Sequence, residues 1–187
     1  KGMGIYDGKL YAADINEVVV IDIKGNKVIQ KIPIEGTTFL NDITIDQQGN
    51  VFVSDTRLGT VYKIKNSKAE LYLDQLPNAN GLKAIGKDLY ILSGPTLVKV
   101  DQHGKTTVIA KGLASGGDGL EPLGKDAFLV SCWAGLVYEI KMNGIVTQLM
   151  DTRAEKINTA DIGFDAKKKI MFVPTFLKNS VIAYQVN

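Results

Sequence analysis

A short triplet ending in an apolar residue returns along this 187-residue chain at nearly constant spacing. No other feature constrains the fold as much. Met3-Gly4-Ile5, Asn41-Asp42-Ile43, Asn80-Gly81-Leu82, Asp118-Gly119-Leu120 and Ala160-Asp161-Ile162 place their third members at intervals of 38, 39, 38 and 42 residues. After each triplet come a short turn and an apolar run: Lys9 to Ala13, Asn50 to Ser54, Asp88 to Ser93, Asp126 to Ser131 and Lys169 to Pro174. A third run follows in every unit: Val18 to Ile23, Thr60 to Ile64, Thr96 to Val100, Leu136 to Ile140 and Ser180 to Tyr184. Four units add a fourth: Lys27 to Ile34, Ala69 to Leu73, Lys105 to Ile109 and Ile145 to Leu149. Four short strands in about 40 residues is the period of a β-propeller blade.

Composition agrees with this. Val, Ile and Thr make up about a quarter of the chain, and 19 Gly stand against 5 Pro, a mixture suited to strands joined by tight turns. Gln48-Gly49-Asn50, His103-Gly104, Asn143-Gly144 and Lys24-Gly25-Asn26 fall between expected strands, where Gly and Asn supply the positive φ of short hairpins. The expected fold is all-β: a propeller of four-stranded antiparallel blades over 2–38, 39–77, 78–115, 116–156 and 157–187. That amounts to about four and three-quarter blades of a ring of six, with the N-terminal part of the ring expected to be missing.

Several function classes drop out. A net charge of +2 lacks the basic footprint of a nucleic-acid binder. No apolar run reaches the roughly 18–20 residues that cross a bilayer as a helix. A single cysteine, Cys132, forms no internal disulfide, and a single histidine, His103, excludes His-rich metal centres. Cys132 reads as a small core hydrophobe, His103 as part of a solvated hairpin, and Lys167-Lys168-Lys169 as an exposed turn. No nucleophile elbow, dinucleotide fingerprint or P-loop is present. The compartment stays open.

The first strand of each propeller blade lines the central channel, so equivalent positions form a ring at one mouth. The residues two before the repeated apolar position are Met3, Asn41, Asn80, Asp118 and Ala160. Asn41, Asn80 and Asp118 would bring two amide carbonyls and a carboxylate to one level, the hard oxygen donors that Ca²⁺ takes. Mg²⁺, Mn²⁺ or Zn²⁺ could use them as well. Against this, Asn-Gly and Asp-Gly are ordinary turn dipeptides. Asp42 and Asp161 share the next position, as mouth-lining groups or as turn caps. Asp14 and Asp55 end equivalent second strands, where carboxylates accept backbone bonds. Trp133 ends another and could wall a ligand or simply fill space.

The segment Phe39-Leu40-Asn41-Asp42-Ile43, with Asp46 to Asp55 after it, resembles the central blade motif of the SMP-30/gluconolactonase family of six-bladed propellers. Asn80-Gly81-Leu82, Asp118-Gly119-Leu120 with Phe128 to Val137, and Ala160 to Tyr184 resemble the blades that follow. The resemblance implies one divalent ion, usually Ca²⁺, held by a Glu, two Asn and an Asp. Asn41 and Asn80 match the two Asn, and Asp118 matches the Asp. It further implies hydrolysis of lactones or related esters, with the metal polarising the carbonyl and Asp118 assisting proton transfer. Phe39, Asp42, Trp133 and Asp161 would contact the substrate. Two departures stand out: the family's Glu belongs to a first blade expected to be missing, and Phe39 occupies the place of a substrate-binding Arg. The alternative is a non-catalytic propeller, NHL-like or YncE-like, that binds a protein or another ligand.

Overall fold

The computed structural model describes residues 1–186; Asn187, the last residue of the fifth expected blade, lies outside the described residues. Strands form because apolar residues alternate over short runs, and hairpins close where the chain supplies positive φ. Gly49, Gly104 and Gly144 adopt φ of 78°, 80° and 89° at three of the expected turns. At Lys24-Gly25-Asn26 the left-handed residue is Asn26 (φ 48°) rather than the glycine.

Five antiparallel sheets result, each meandering outward in chain order. Blade 1 comprises β1 (Met3–Tyr6), β2 (Lys9–Asp14), β3 (Glu17–Asp22) and β4 (Lys27–Pro33). Blade 2 comprises β5 (Leu40–Ile45), β6 (Val51–Asp55), β7 (Thr60–Lys65) and β8 (Lys68–Leu73). Blade 3 holds β9 (Ala79–Ile85), β10 (Asp88–Ser93), β11 (Thr96–Val100) and β12 (Thr106–Lys111). Blade 4 holds β13 (Leu120–Pro122), β14 (Ala127–Cys132), β15 (Leu136–Lys141) and β16 (Val146–Asp151). Blade 5 has three strands, β17 (Gly163–Asp165), β18 (Ile170–Pro174) and β19 (Val181–Gln185), with a 3₁₀ turn at Phe176–Lys178 that the repeat does not announce.

The core lies between blades, because a single blade is too thin to bury its own faces. Val18, Val20 and Ile32 of blade 1 pack on Leu40, Ile43 and Val53 of blade 2. Phe52 and Val61 meet Leu82, Ile91 and Val98 of blade 3. Leu92 and Leu97 meet Val130, Leu136 and Cys132 of blade 4, and Leu129 and Val137 meet Met171 and Val173 of blade 5. Among the described residues, no buried cluster joins blade 5 to blade 1. Met3 and Ile5 at one end of the arc are 63% and 68% exposed, and Phe172 and Val181 at the other end are also exposed.

One irregularity recurs and positions everything that follows. In blade 2, Leu40 pairs with Asp55 and Ile43 with Val53, so Asn41 and Asp42 together oppose Ser54. In blade 3, Ala79 pairs with Ser93 and Leu82 with Ile91, so Asn80 and Gly81 oppose Leu92. In blade 4, Leu120 pairs with Val130, while the backbones of Asp118 and Gly119 both bond to Ser131. Each is a β-bulge, which re-aims the side chain of the extra residue.

Candidate functional site

The bulges turn Asn41, Asn80 and Asp118 toward a common cavity of about 880 Å³ at one mouth of the channel. All five equivalent positions, Met3, Asn41, Asn80, Asp118 and Ala160, line it, as do Phe39, Asp42, Trp133 and Asp161. The expected site residues are thus brought together without exception. Sequence reasoning missed Thr56, Phe176 and the Lys83–Glu121 ion pair (2.6 Å) in the lining.

The glycines beside the polar residues have a different origin from the turn dipeptides expected. Neither Gly81 nor Gly119 has positive φ. A Cβ on Gly81 would stand 2.4 Å from the Asp118 carbonyl oxygen, and one on Gly119 would stand 2.5 Å from the Ile162 nitrogen. Glycine is needed here because neighbouring inner strands pass too close for a side chain.

Hydrogen bonds then fix the polar groups. Asn80 Nδ2 donates to Asp118 Oδ1 (2.8 Å). The Asn80 Oδ1 is buried and has no hydrogen-bond partner among the described residues. Asn41 Nδ2 donates to Thr56 Oγ1 (2.9 Å), which in turn donates to the Ala79 carbonyl of blade 3 (2.8 Å). Asp42 is consumed by the fold: Oδ2 accepts from the Leu82 amide of blade 3 (2.6 Å) and Oδ1 from Ile43 (2.7 Å). Asp161, at the same repeat position, accepts no hydrogen bond among the described residues, so its carboxylate is open to the cavity.

Three carboxylates in one recess cannot all ionise cheaply. Burial pushes Asp118 up to about 7, with the Asp161 charge adding to it and the Asn80 amide pulling the other way. Burial, and then Asp161, raise Asp42 well above the usual range despite its two backbone bonds. Burial raises Asp161 as well, against the pull of nearby positive charge that includes Lys1. Asp55 shows the opposite balance. Burial alone would raise it, but amides of Phe39, Thr38, Leu58 and Arg57 all donate to its carboxylate and hold it low. It is the structural anchor of the Phe39 segment, as expected for the end of a second strand, whereas Asp14 is exposed and holds nothing comparable.

The aromatic groups divide by position. Phe39 lies between Lys1 Nζ (3.4 Å from the ring centroid) and the Arg57 guanidinium (5.0 Å). Across the mouth, Trp133 packs edge-on against Phe176 at 5.7 Å. Cys132 is fully buried, its thiol pushed up to about 11 by burial, which confirms the core hydrophobe. His103 and Lys167 to Lys169 are exposed at turns.

The donor set suits a hard cation. Asn41 Oδ1, Asn80 Oδ1 and the second oxygen of Asp118 are hard oxygen donors on residues that line one mouth, and a buried acceptor without a described donor is what a cation would satisfy. Among the described residues, no group of three or more Asp, Glu, His or Cys side chains is arranged to hold a metal, so any such ion relies on the two amides.

No protein-family model matches the sequence, and no curated protein matches it. Solved structures do match in fold. A chain from a nidogen–laminin complex superimposes with a TM-score of 0.84 at 16% identity, over 98% of this chain and 74% of that one. A catalytically inactive virginiamycin B lyase from Staphylococcus aureus, solved with quinupristin, gives 0.79 at 12% identity, over 100% of this chain and 66% of the lyase. A streptogramin B lyase structure gives 0.65 at 10% identity over 82% of its length. At such identities the likeness concerns fold alone. The chain is an all-β propeller, similar to propellers of the six-bladed type.

Proposed function

We propose that the mouth holds one divalent cation, with Ca²⁺ the best fit, on Asn41, Asn80 and Asp118, and that it hydrolyses lactones or related esters there. The observation that carries this reading is the buried, unpartnered Asn80 Oδ1 beside a carboxylate that burial has made reluctant to ionise. A cation would satisfy the one and ionise the other. When bound, the ion supplies a Lewis acid for a carbonyl oxygen. The chain's own residues do the rest. Thr56 orients the Asn41 amide and Asn80 orients Asp118, whose carboxylate would both hold the ion and assist proton transfer at the mouth. Phe39, Trp133 and Phe176 provide apolar wall.

Calorimetric titration with CaCl₂ should give one site per chain, weakened at least tenfold by Asn80→Ala. A panel of γ- and δ-lactones and aryl esters should be opened in calcium and not in EDTA. A chain that binds calcium but turns over no panel member refutes the hydrolase reading.

A second reading has its own observation. Trp133 and Phe176 are 46% and 59% exposed, a large apolar rim for a catalytic mouth and a suitable one for a non-catalytic binding module. The nidogen–laminin similarity is compatible with that role. Asp118→Ala would abolish hydrolysis in the first case and leave ligand binding intact in the second.

A further inference from the structure

The blade 4–5 side of the mouth is built differently from the side that would hold the metal. Three hydrogen bonds zip the end of β14 to the segment before β17. Ser131 Oγ donates to the Ala160 carbonyl (2.7 Å), Thr159 Oγ1 to the Cys132 carbonyl (2.7 Å), and Asn158 Nδ2 to the Trp133 carbonyl (3.0 Å). The Ala160 amide donates to the Pro174 carbonyl (3.2 Å), two residues before Phe176. This stitching holds the segments that carry Asp161, Trp133 and Phe176 on one side of the mouth, and all three line the cavity.

Each member is left unused by the fold. Asp161 accepts no hydrogen bond among the described residues, whereas Asp42 at the same repeat position accepts two. The rings of Trp133 and Phe176 meet edge to face, and both residues stay largely exposed. Phe176 is moreover held at φ 51°, a left-handed conformation that costs a bulky residue energy and that surrounding structure must impose. Among the described residues no cation forms an ion pair with Asp161; Lys1 acts on it only through longer-range charge. Lys83 is paired with Glu121, and Lys1 Nζ donates to the Leu40 carbonyl and covers the Phe39 ring.

An open carboxylate and exposed aromatic rings lining one cavity attract one class of ligand above others. A cation with an apolar body gains from the carboxylate charge, from the ring quadrupoles and from burial of its hydrocarbon. An anion gains neither the Asp161 charge nor the ring quadrupoles. We infer that Asp161, Trp133 and Phe176 form a subsite for an organic cation, an amine or quaternary ammonium group carried on an apolar or aromatic body. The inference deepens the reading above and rests on its small-molecule mouth: the substrate or ligand of this protein bears such a group.

Trp133 is the sole tryptophan of the chain, so its emission reports the subsite directly. The 187-residue chain is titrated with benzyltrimethylammonium, benzyl alcohol and benzoate, which share a benzene ring and differ in charge, in calcium and again in EDTA. The cation should shift Trp133 emission saturably and bind at least tenfold tighter than the alcohol, with benzoate weakest. Asp161→Asn should erase the cation's advantage over the alcohol, and Phe176→Ala should weaken both. Asp161→Asn removes a charge that burial disfavours, so an unchanged or raised melting temperature certifies its fold. Benzoate binding as tightly as the cation, or cation binding indifferent to Asp161→Asn, overturns the inference. The two readings fail separately. Cation binding without calcium binding or turnover sinks the hydrolase and leaves the subsite, whereas calcium-dependent turnover with no preference for the cation does the reverse.

Discussion

Asp42 and Asp161 occupy one repeat position and do opposite things, and the cause lies some 40 residues away. The Leu82 amide of the next blade points at Asp42, and no described donor points at Asp161. Nothing in the local sequence encodes this difference, so both appear in the sequence as mouth-lining or capping groups. Asn41, Asn80 and Asp118 were legible because register in a repeat translates directly into ring position. Their titration behaviour has a definite sign. Asp118, at about 7 when folded against about 4 when unfolded, binds more protons in the native state between those values. Native stability therefore falls as pH rises through that window and levels off above it. In EDTA the melting temperature should be higher at pH 5 than at pH 8, and Asp118→Asn should reduce that slope, with Asp42 and Asp161, which burial also raises, carrying the remainder. A slope unchanged by the substitution would assign it to other groups.

At the scale of the strand, alternation and turn residues fixed nearly every element to within a residue or two; β12 (Thr106–Lys111) against the expected Lys105 to Ile109 is typical. The bulges were not legible. Asn-Gly and Asp-Gly read as turns from sequence, and only the close approach of successive inner strands reveals why those glycines are there. A faint signal existed in Ser54 and Ser131, hydroxyls ending otherwise apolar buried runs. Ser131 Oγ accepts from the Gly119 amide within its blade and donates to Ala160 in the next. Ser131→Ala leaves a buried donor and acceptor unpaired, at a cost of about 1–3 kcal/mol. Urea denaturation should show the loss as a lower midpoint with the same slope. A change below about 0.5 kcal/mol would mean that the blades do not depend on this stitch.

For the whole molecule, stability is a sum over neighbouring blades, as in any linear array of repeats. Blades 2, 3 and 4 each have two packed neighbours, while blades 1 and 5 each have one and show apolar residues at the free side. Amide hydrogen exchange should follow that order, with β10 and β11 protected longest and β3 and β19 opening first. Uniform protection across all five blades would contradict it. The cross-blade bonds at the mouth all lie along the same path: Thr56 to Ala79, Asp42 to Leu82, Asn80 to Asp118 and Ser131 to Ala160. The three residues assigned to the cation stand on the three inner blades, and Asp161 and Phe176 stand on an outer one. Fraying at the margin would therefore switch off selection by the organic-cation subsite while sparing the oxygen ring. Recognition and ion retention would have separate melting points within one domain.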